Sequence, residues 1–222
     1  MFEVTFILKA VALVLNLLPS TSSQIAVVCS THTMPYPKIV ALDCDYTIWH
    51  GHLDQTKWGK GPGARSKLQD NIEFVDHHYL RDKSDHHNKI RVNMDVTKVV
   101  YDILKHGAKL AIVSRNGSVA MCNRALYYIK TTNPATGMEE SIIKLVSYNE
   151  VVNVNHFKRI HGWSKCDYSD MLLIDDDRHN ACVERDLGVK FQLARDSNDK
   201  KGLTWEIYQQ GLHAWKKSKG YA

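Results

Sequence analysis

The chain has 222 residues, of which 44% are hydrophobic and 24% are charged, so it is long enough to bury the core of one ordinary globular domain. Its formal net charge of +5 comes from scattered lysines and arginines, without runs interleaved with aromatic residues, and we therefore expect no nucleic-acid partner. The five cysteines are odd in number and widely spaced, which argues against a disulfide framework or a CxxC metal site and indicates reduced thiols.

The N-terminal segment, residues 1–33, has two open interpretations. Phe6–Leu18 is almost wholly apolar and is followed by the polar run Pro19–Ser23, which resembles the hydrophobic stretch and polar exit of a secretory signal. However, Glu3 precedes any basic residue, and the apolar run is short for a bilayer span. The segment is either an extension of a cytoplasmic protein whose domain is 34–222, or a signal or anchor of a secreted one. We expect membrane contact only through this segment.

From residue 38 onward, the hydrophobic pattern predicts strands that alternate with helices. The predicted strands are short apolar runs, as expected for parallel strands buried on both faces. They are Ile39–Leu42, Leu110–Val113, Ile142–Val146, Met171–Ile174 and Val189–Leu193. The predicted helices are Val96–Leu104 behind an Asp95 N-cap, Val119–Ile129, His156–Ile160, Asn180–Leu187 and Leu203–Trp215. This alternation predicts an α/β fold, a Rossmann-like parallel sheet with helices on both faces.

A small hairpin lid is predicted after the first strand. Asn71–Val75 and Lys89–Val92 are expected to pair with each other. Histidine pairs at positions 77–78 and 86–87 lie between them and are expected to form one solvated tip, since their spacing matches no defined zinc motif. A lid of this size leaves an adjacent site open.

Polar residues follow three of the predicted strands at their carboxyl ends. The first strand leads into Asp43–Thr47, the second into Ser114–Asn116 and a later one into Asp175–Asp177. Because the carboxyl ends of parallel strands share one edge of the sheet, we expect these groups to converge. Two carboxylates and a backbone carbonyl suffice to hold Mg²⁺ beside a phosphate, and the cation offsets the repulsion among the acids.

Three of these runs carry a family resemblance. Leu42–Trp49 resembles the DxDxT signature of the haloacid-dehalogenase superfamily, and its Tyr46–Trp49 portion resembles the magnesium-dependent phosphatase branch, the acid phosphatases. Val113–Arg115 resembles the second motif of that branch, and Ile174–Asn180 resembles its acidic fourth motif. The resemblance extends over about Pro37–Gly211 and implies magnesium-dependent hydrolysis of phosphate monoesters.

The resemblance also implies roles for the acidic residues. Asp43 would be the nucleophile that becomes a phosphoaspartate, and Asp45 the general acid that later acts as base toward water. The Mg²⁺ cofactor would be held by Asp43, by the backbone carbonyl of Asp45 and by Asp175, with Asp176 as an auxiliary ligand.

The phosphate-binding residues implied by the resemblance lie on two of the motifs. Thr47 and Ser114 would donate hydrogen bonds to the transferring phosphoryl group, with the amides of Arg115 and Asn116 nearby. The implied substrate is a phosphorylated small molecule, such as a sugar phosphate, or a phosphotyrosine side chain, because both can reach an open site.

The third motif departs from the family pattern. The family has a lysine directly before a segment that resembles Val154–Phe157, and this chain has Asn153 there. Lys158 and Arg159 follow on a different face of a regular helix, so neither is an assured substitute. Two functions therefore stay open: an active phosphatase, and a weakened or inactive binding protein with the phosphatase fold.

Overall fold

The computed structural model describes residues 35–151, 155–196, 198–200 and 202–221. The segment 1–33 and Asn153 lie outside these residues, so the predictions made for them stay predictions. No helix within the described ranges is long and apolar enough to cross a membrane.

The described residues alternate between strands and helices, much as the hydrophobic pattern predicts. The first elements are β1 (Ile39–Leu42), β2 (Trp49–His50), β3 (Ile72–Val75), β4 (Tyr79–Asp82), β5 (Lys89–Val92), α1 (Val96–Lys105), β6 (Lys109–Ser114) and α2 (Val119–Tyr128). The later elements are β7 (Lys130–Thr132), β8 (Glu139–Ser141), α3 (Ile142–Leu145), β9 (Val146–Val151), α4 (His156–Ser164), β10 (Met171–Asp175), α5 (Cys182–Leu187), β11 (Lys190–Leu193) and α6 (Trp205–Ser218).

The central sheet has five strands in the order β11-β10-β1-β6-β9. Its neighbouring strands are all parallel, and Ile39 of β1 is in register with Met171 of β10 and with Lys109 of β6. All four residues of β1 are buried, as expected for a strand covered on both faces. The predicted α/β parallel sheet is confirmed, and the central position of β1 puts the residues that follow it in the middle of the sheet edge.

Helices cover both faces of this sheet because successive side chains of a strand point to opposite sides. Val40 and Leu42 pack in a core cluster with residues of α1, α2 and α6. Ile39 and Ala41 pack in a second cluster with residues of α4 and α5. Each valine, leucine or isoleucine side chain fully buried in this way contributes roughly 1.5–3 kcal/mol.

The segment between β1 and α1 forms a four-stranded sheet in the order β2-β5-β4-β3, larger than the predicted hairpin lid. The predicted pairing of the strand near residue 72 with the one near residue 89 is wrong, because both pair with β4, which lies between them. In β4 a buried acid, Asp82, follows the half-buried Arg81, so the strand lacks an apolar pattern. The histidine pairs at 77–78 and 86–87 consequently lie in turns at opposite ends of β4 and do not form one tip.

The predicted strand Ile142–Val146 is also wrong. Its first four residues form the helical turn α3, and the strand begins where the prediction ends, at Val146. A short apolar run does not by itself distinguish a helical turn from a strand. Here the amide of Ile142 donates to the Ile129 carbonyl at 2.8 Å at the end of the hairpin formed by β7 and β8, so the chain must turn before it can join β6.

Two helix starts differ in detail from the sequence pattern. Asp95 precedes α1, but its side chain does not cap that helix; it accepts a hydrogen bond from the Trp205 amide at 2.9 Å. The last helix begins at Trp205 because the Thr204 hydroxyl accepts a hydrogen bond from the Ile207 amide. The hydrogen bond between Trp205 and Asp95 therefore links the start of α6 to the start of α1.

Candidate active site

The nucleophile candidate, Asp43, directly follows β1. Its amide donates to the Ile174 carbonyl at 3.1 Å, which continues the pairing of β1 with β10 by one residue. The chain then turns, with the amide of Ile48 donating to the carbonyl of Cys44 at 2.9 Å. This turn buries Cys44 completely, while Asp43 and Asp45 both line one cavity.

Three buried carboxylates meet at this edge of the sheet. Oxygen atoms of Asp43, Asp175 and Asp176 all lie within 4.8 Å of one another, and their residues are 8%, 4% and 7% exposed. Within the part of the chain that the structure describes, this is the one group of three or more potential metal ligands. Because β10 lies beside β1 in parallel, the predicted convergence of these acids follows from the sheet itself.

The burial of these acids shifts their pKa values. Burial raises the pKa of Asp43 well above its usual range, and the charges of Asp175 and Asp45 raise it further. Burial also raises the pKa of Asp175 to about 6, against hydrogen bonds from Asp177 and Asn180 that lower it. Those bonds, from the Asp177 amide at 2.8 Å and from Asn180 Nδ2 at 2.7 Å, fix the Asp175 carboxylate in place. Such carboxylates need a cation in order to stay charged together.

The carboxylate of Asp45 is held apart from this cluster. Its Oδ1 atom accepts hydrogen bonds from Trp49 Nε1 at 2.8 Å and from the Leu53 amide at 3.0 Å. Its Oδ2 atom accepts a hydrogen bond from Asn116 Nδ2 at 2.7 Å and lies 3.3 Å from His52 Nε2. Among the described residues, the Asp45 carboxylate does not belong to the three-carboxylate group. It faces the same cavity from a different, fixed position.

The second predicted motif supplies the wall at the end of β6. Ser114 is 3% exposed and lines the cavity, and its hydroxyl accepts a hydrogen bond from the Asn116 amide at 3.3 Å. The side chain of Asn116 also donates to the Leu53 carbonyl at 3.0 Å, so it organises the loop around Asp45. At the cavity wall the exposed Arg115 forms an ion pair with Asp177 at 2.9 Å.

Thr47 is the predicted site residue that is absent from the described cavity wall. It is completely buried, and its Oγ1 atom has no hydrogen-bond partner among the residues that the structure describes. Its carbonyl accepts hydrogen bonds from Asn93 Nδ2 and from the Leu203 amide. This backbone position ties the turn after β1 to the segment before α6. The phosphate-binding role implied for Thr47 stays a prediction.

The cavity has a volume of about 1040 Å³, which exceeds the needs of a phosphate group and can take a phosphorylated organic molecule. The sequence motifs missed several residues of its wall. Asn180 stands at the end of the acidic fourth motif, where that motif could have indicated it. His52 and Arg195 lie outside the quoted motifs, and no sequence pattern marks them, whereas Lys158 follows the third motif, where the sequence identifies it only as an unassured substitute for the lysine that Asn153 replaces. Arg195 reaches the site by donating from Nε to the Asp176 carbonyl at 3.0 Å.

Comparison with known proteins matches residues 35–218 to the family described as Acid Phosphatase. The HAD-like hydrolase superfamily protein P8B7.31 of Schizosaccharomyces pombe is 30% identical over 159 residues, which are 70% of this chain and 84% of that protein. YER134C of Saccharomyces cerevisiae, provisionally named a magnesium-dependent phosphatase, is 25% identical over 183 residues, 80% of this chain and 96% of that protein.

A solved structure also aligns with the chain. It is the N-terminal part of the protein BF1531 from Bacteroides fragilis, a phosphatase domain complexed with Mg. The alignment has a TM-score of 0.45 and 14% sequence identity, and it covers 81% of this chain and 40% of that one.

Proposed function

This chain belongs to the acid phosphatase family, and we propose that it is a magnesium-dependent phosphatase that hydrolyses phosphate monoesters through a phosphoaspartate on Asp43. One observation carries the proposal: carboxylate oxygens of Asp43, Asp175 and Asp176 lie within 4.8 Å of one another at the ends of adjacent parallel strands. Such a group is suited to bind a hard divalent cation beside a reacting phosphate.

The donor set fits Mg²⁺. The cluster offers only carboxylate oxygens, the ligand type that this ion prefers, and neither Asp43 nor Asp175 forms an ion pair with a lysine or arginine that the structure describes. Asp43, Asp175 and the Asp45 carbonyl would hold the ion, with Asp176 as a further ligand. When bound, it would neutralise charge on the carboxylates and on the phosphoryl oxygens. The provisional name of YER134C supports the same cofactor.

In the first step, a carboxylate oxygen of Asp43 attacks phosphorus, and the bond from phosphorus to the ester oxygen breaks. Asp45 gives its proton to the leaving oxygen, so the alcohol departs neutral and Asp43 carries the phosphoryl group. Trp49, Leu53 and Asn116 hold the Asp45 carboxyl group in one orientation, which is what a group that must meet a particular oxygen requires.

In the second step, a water molecule attacks the phosphoryl group on Asp43. Asp45, now ionised, accepts a proton from that water, the acyl phosphate bond breaks, and inorganic phosphate leaves. Both residues then return to their starting protonation states. Ser114, which lines the same cavity, would donate its hydroxyl to a phosphoryl oxygen in both steps.

The proposed substrates are phosphotyrosine side chains and small sugar phosphates. The volume of about 1040 Å³ can take either leaving group. The cavity wall includes Tyr46, an aromatic side chain that is 41% exposed and directly follows Asp45.

Hydrolysis of an aryl phosphate by the full chain tests the proposal. We expect turnover that requires magnesium, stops on addition of a chelator, and falls by at least about a thousandfold in Asp43→Asn. Asp167→Asn removes an exposed carboxylate that does not line the cavity and is the matched control. A wild-type rate in Asp43→Asn would contradict the proposal that Asp43 is the nucleophile. Absence of turnover in the folded wild type would contradict the proposal that the chain is a phosphatase.

A further inference from the structure

The cavity wall carries an excess of negative charge. Among the residues that the structure describes, six aspartates line it, against three residues that are lysine or arginine, namely Arg115, Lys158 and Arg195. A phosphate monoester is itself an anion, so positive charge on the wall, added to that of the proposed magnesium ion, favours its entry.

Two of these three cations are already engaged. The guanidinium of Arg115 is 2.9 Å from Asp177. Arg195 donates from Nη1 to both carboxylate oxygens of Asp199 at 2.9 Å. The side chain of Lys158, in contrast, forms no ion pair or hydrogen bond with any residue within the described ranges. Its charge is therefore available to a ligand.

The start of α4 places one of two neighbouring cations at the cavity wall. Phe157 and Ile160 are 3% and 0% exposed and anchor the helix against the central sheet, which fixes its rotation. Successive residues of a helix point in directions about 100° apart, so Lys158 and Arg159 cannot face the same way. Lys158 lines the cavity, whereas Arg159 donates to the buried Glu150 at 2.9 Å.

We infer that Lys158 is a substrate-binding residue that contacts the phosphoryl oxygens of the phosphate monoester. The inference rests on the proposed function, since it concerns the same cavity. It assigns the recognition of phosphate to an exposed lysine in the first turn of α4, in addition to the residues at the strand ends. The flexible four-carbon stem lets the ammonium group move to the ligand and contribute a strongly hydrated point charge.

Binding of inorganic phosphate tests this directly. The full chain, with magnesium present, is titrated with phosphate in a calorimeter, and KM and kcat are measured with an aryl phosphate. Lys158→Met keeps the apolar stem and removes the charge, and we expect Kd and KM to rise about tenfold, with a smaller change in kcat. Lys158→Arg is expected to keep Kd within about threefold of the wild-type value because it keeps the charge.

The matched control is Lys217→Met, which removes the same charge from an exposed position on α6, outside the cavity wall. It should bind phosphate like the wild type. A wild-type Kd in folded Lys158→Met would overturn the inference. Phosphate binding can be measured without turnover. An inactive wild type that binds phosphate therefore overturns the proposed function alone. In that case the Kd of Lys158→Met still decides the inference about Lys158. A wild type that binds no phosphate overturns the inference, and turnover of the aryl phosphate then decides the proposed function separately.

Discussion

Asn116 donates a hydrogen bond from its side-chain amide to Asp45 at 2.7 Å, although the two residues are 71 positions apart in the sequence. The same amide group bonds the Leu53 carbonyl at 3.0 Å, and the Asn116 side-chain oxygen accepts from the Ser118 amide at 2.8 Å. One buried side chain thus joins the end of β6 to the loop that carries the proposed general acid.

We therefore predict that Asn116→Ala lowers kcat by about 10–100-fold with a smaller effect on KM, because Asp45 loses a donor that orients it for proton transfer. Steady-state kinetics with an aryl phosphate measure this. Asn123→Ala, which removes a surface amide that bonds Asn149, is the control and should keep wild-type kinetics. An unchanged kcat in Asn116→Ala would show that Asp45 does not depend on this bond.

Magnesium should stabilise the fold as well as support turnover. The three-carboxylate cluster of Asp43, Asp175 and Asp176 concentrates negative charge in a buried place, and a ligand that binds the folded state alone stabilises it by mass action. At a magnesium concentration of about 100 times Kd, we expect about 2.7 kcal/mol of added stability. Thermal unfolding with and without magnesium measures it, and Asp175→Asn should largely abolish the increase in Tm. An equal increase in that variant would place the ion elsewhere.

The buried Asp82 is expected to control stability in acid. Burial alone would raise its pKa, but hydrogen bonds from the Gly59 amide at 2.6 Å and from Ser84 at 2.8 Å outweigh burial and lower the pKa below its usual value. The contribution of Asp82 is therefore complete above its unfolded pKa, about 4, and is lost as pH falls through the lower folded pKa.

Asp82→Asn should consequently lower the free energy of unfolding at neutral pH by about 2–3 kcal/mol and weaken its decline in acid. Urea unfolding across pH 3–7, taken as an approximate test range around the ordinary aspartate pKa, measures both effects. Asp76→Asn is the control. The Asp76 side chain is 70% exposed, and its ion pair with Lys89, at 3.4 Å, lies at the surface and contributes little to stability. Equal acid profiles for Asp82→Asn and the wild type would refute the assignment.

Tyr208 should contribute to stability and not to catalysis. Its hydroxyl donates to Asp102 at 2.8 Å and also contacts the hydroxyl of Tyr36, which links α6, α1 and the segment before β1. Tyr208→Phe leaves these partly buried partners short of a hydrogen bond, so we expect a loss of about 1–2 kcal/mol with kcat and KM unchanged. Chemical unfolding measures the loss, and Tyr221→Phe, at a residue 61% exposed, is the control. A loss of activity without a loss of stability would contradict this role.

Three strands of the central sheet, β1, β6 and β10, could be predicted because they are largely apolar runs, whereas the polar residues of β9 hide its start. β1 and β10 are buried along their length and β6 is buried after Lys109, and the acids at the ends of β1 and β10 are adjacent in space because these strands are parallel neighbours. The inserted sheet could not be predicted in the same way. Asp82 interrupts any apolar pattern in β4, and its burial depends on hydrogen bonds that it accepts from Ser84 and from the Gly59 amide, which is 23 positions away in the sequence.

The remaining residues of the site are positioned by loops. His52 comes within 3.3 Å of Asp45 because the turn after β1 folds back, and Arg195 reaches the Asp176 carbonyl from the end of β11. These contacts depend on backbone conformations that hydrophobic spacing does not encode. The motif resemblance indicated the acids that line the cavity, but it left Lys158 an unassured substitute for the third-motif lysine, and the structure places Lys158 at the cavity wall in the first turn of α4.

The most direct test of the account is to identify the residue that carries phosphate during turnover. The full chain is mixed with radiolabelled aryl phosphate and magnesium, quenched in acid within one turnover, and digested, and the labelled peptide is located by mass spectrometry. We predict that the label is on Asp43 and is absent from Asp43→Asn. Label on another residue, or steady turnover in the wild type without any labelled protein, would contradict a mechanism that proceeds through a phosphoaspartate on Asp43.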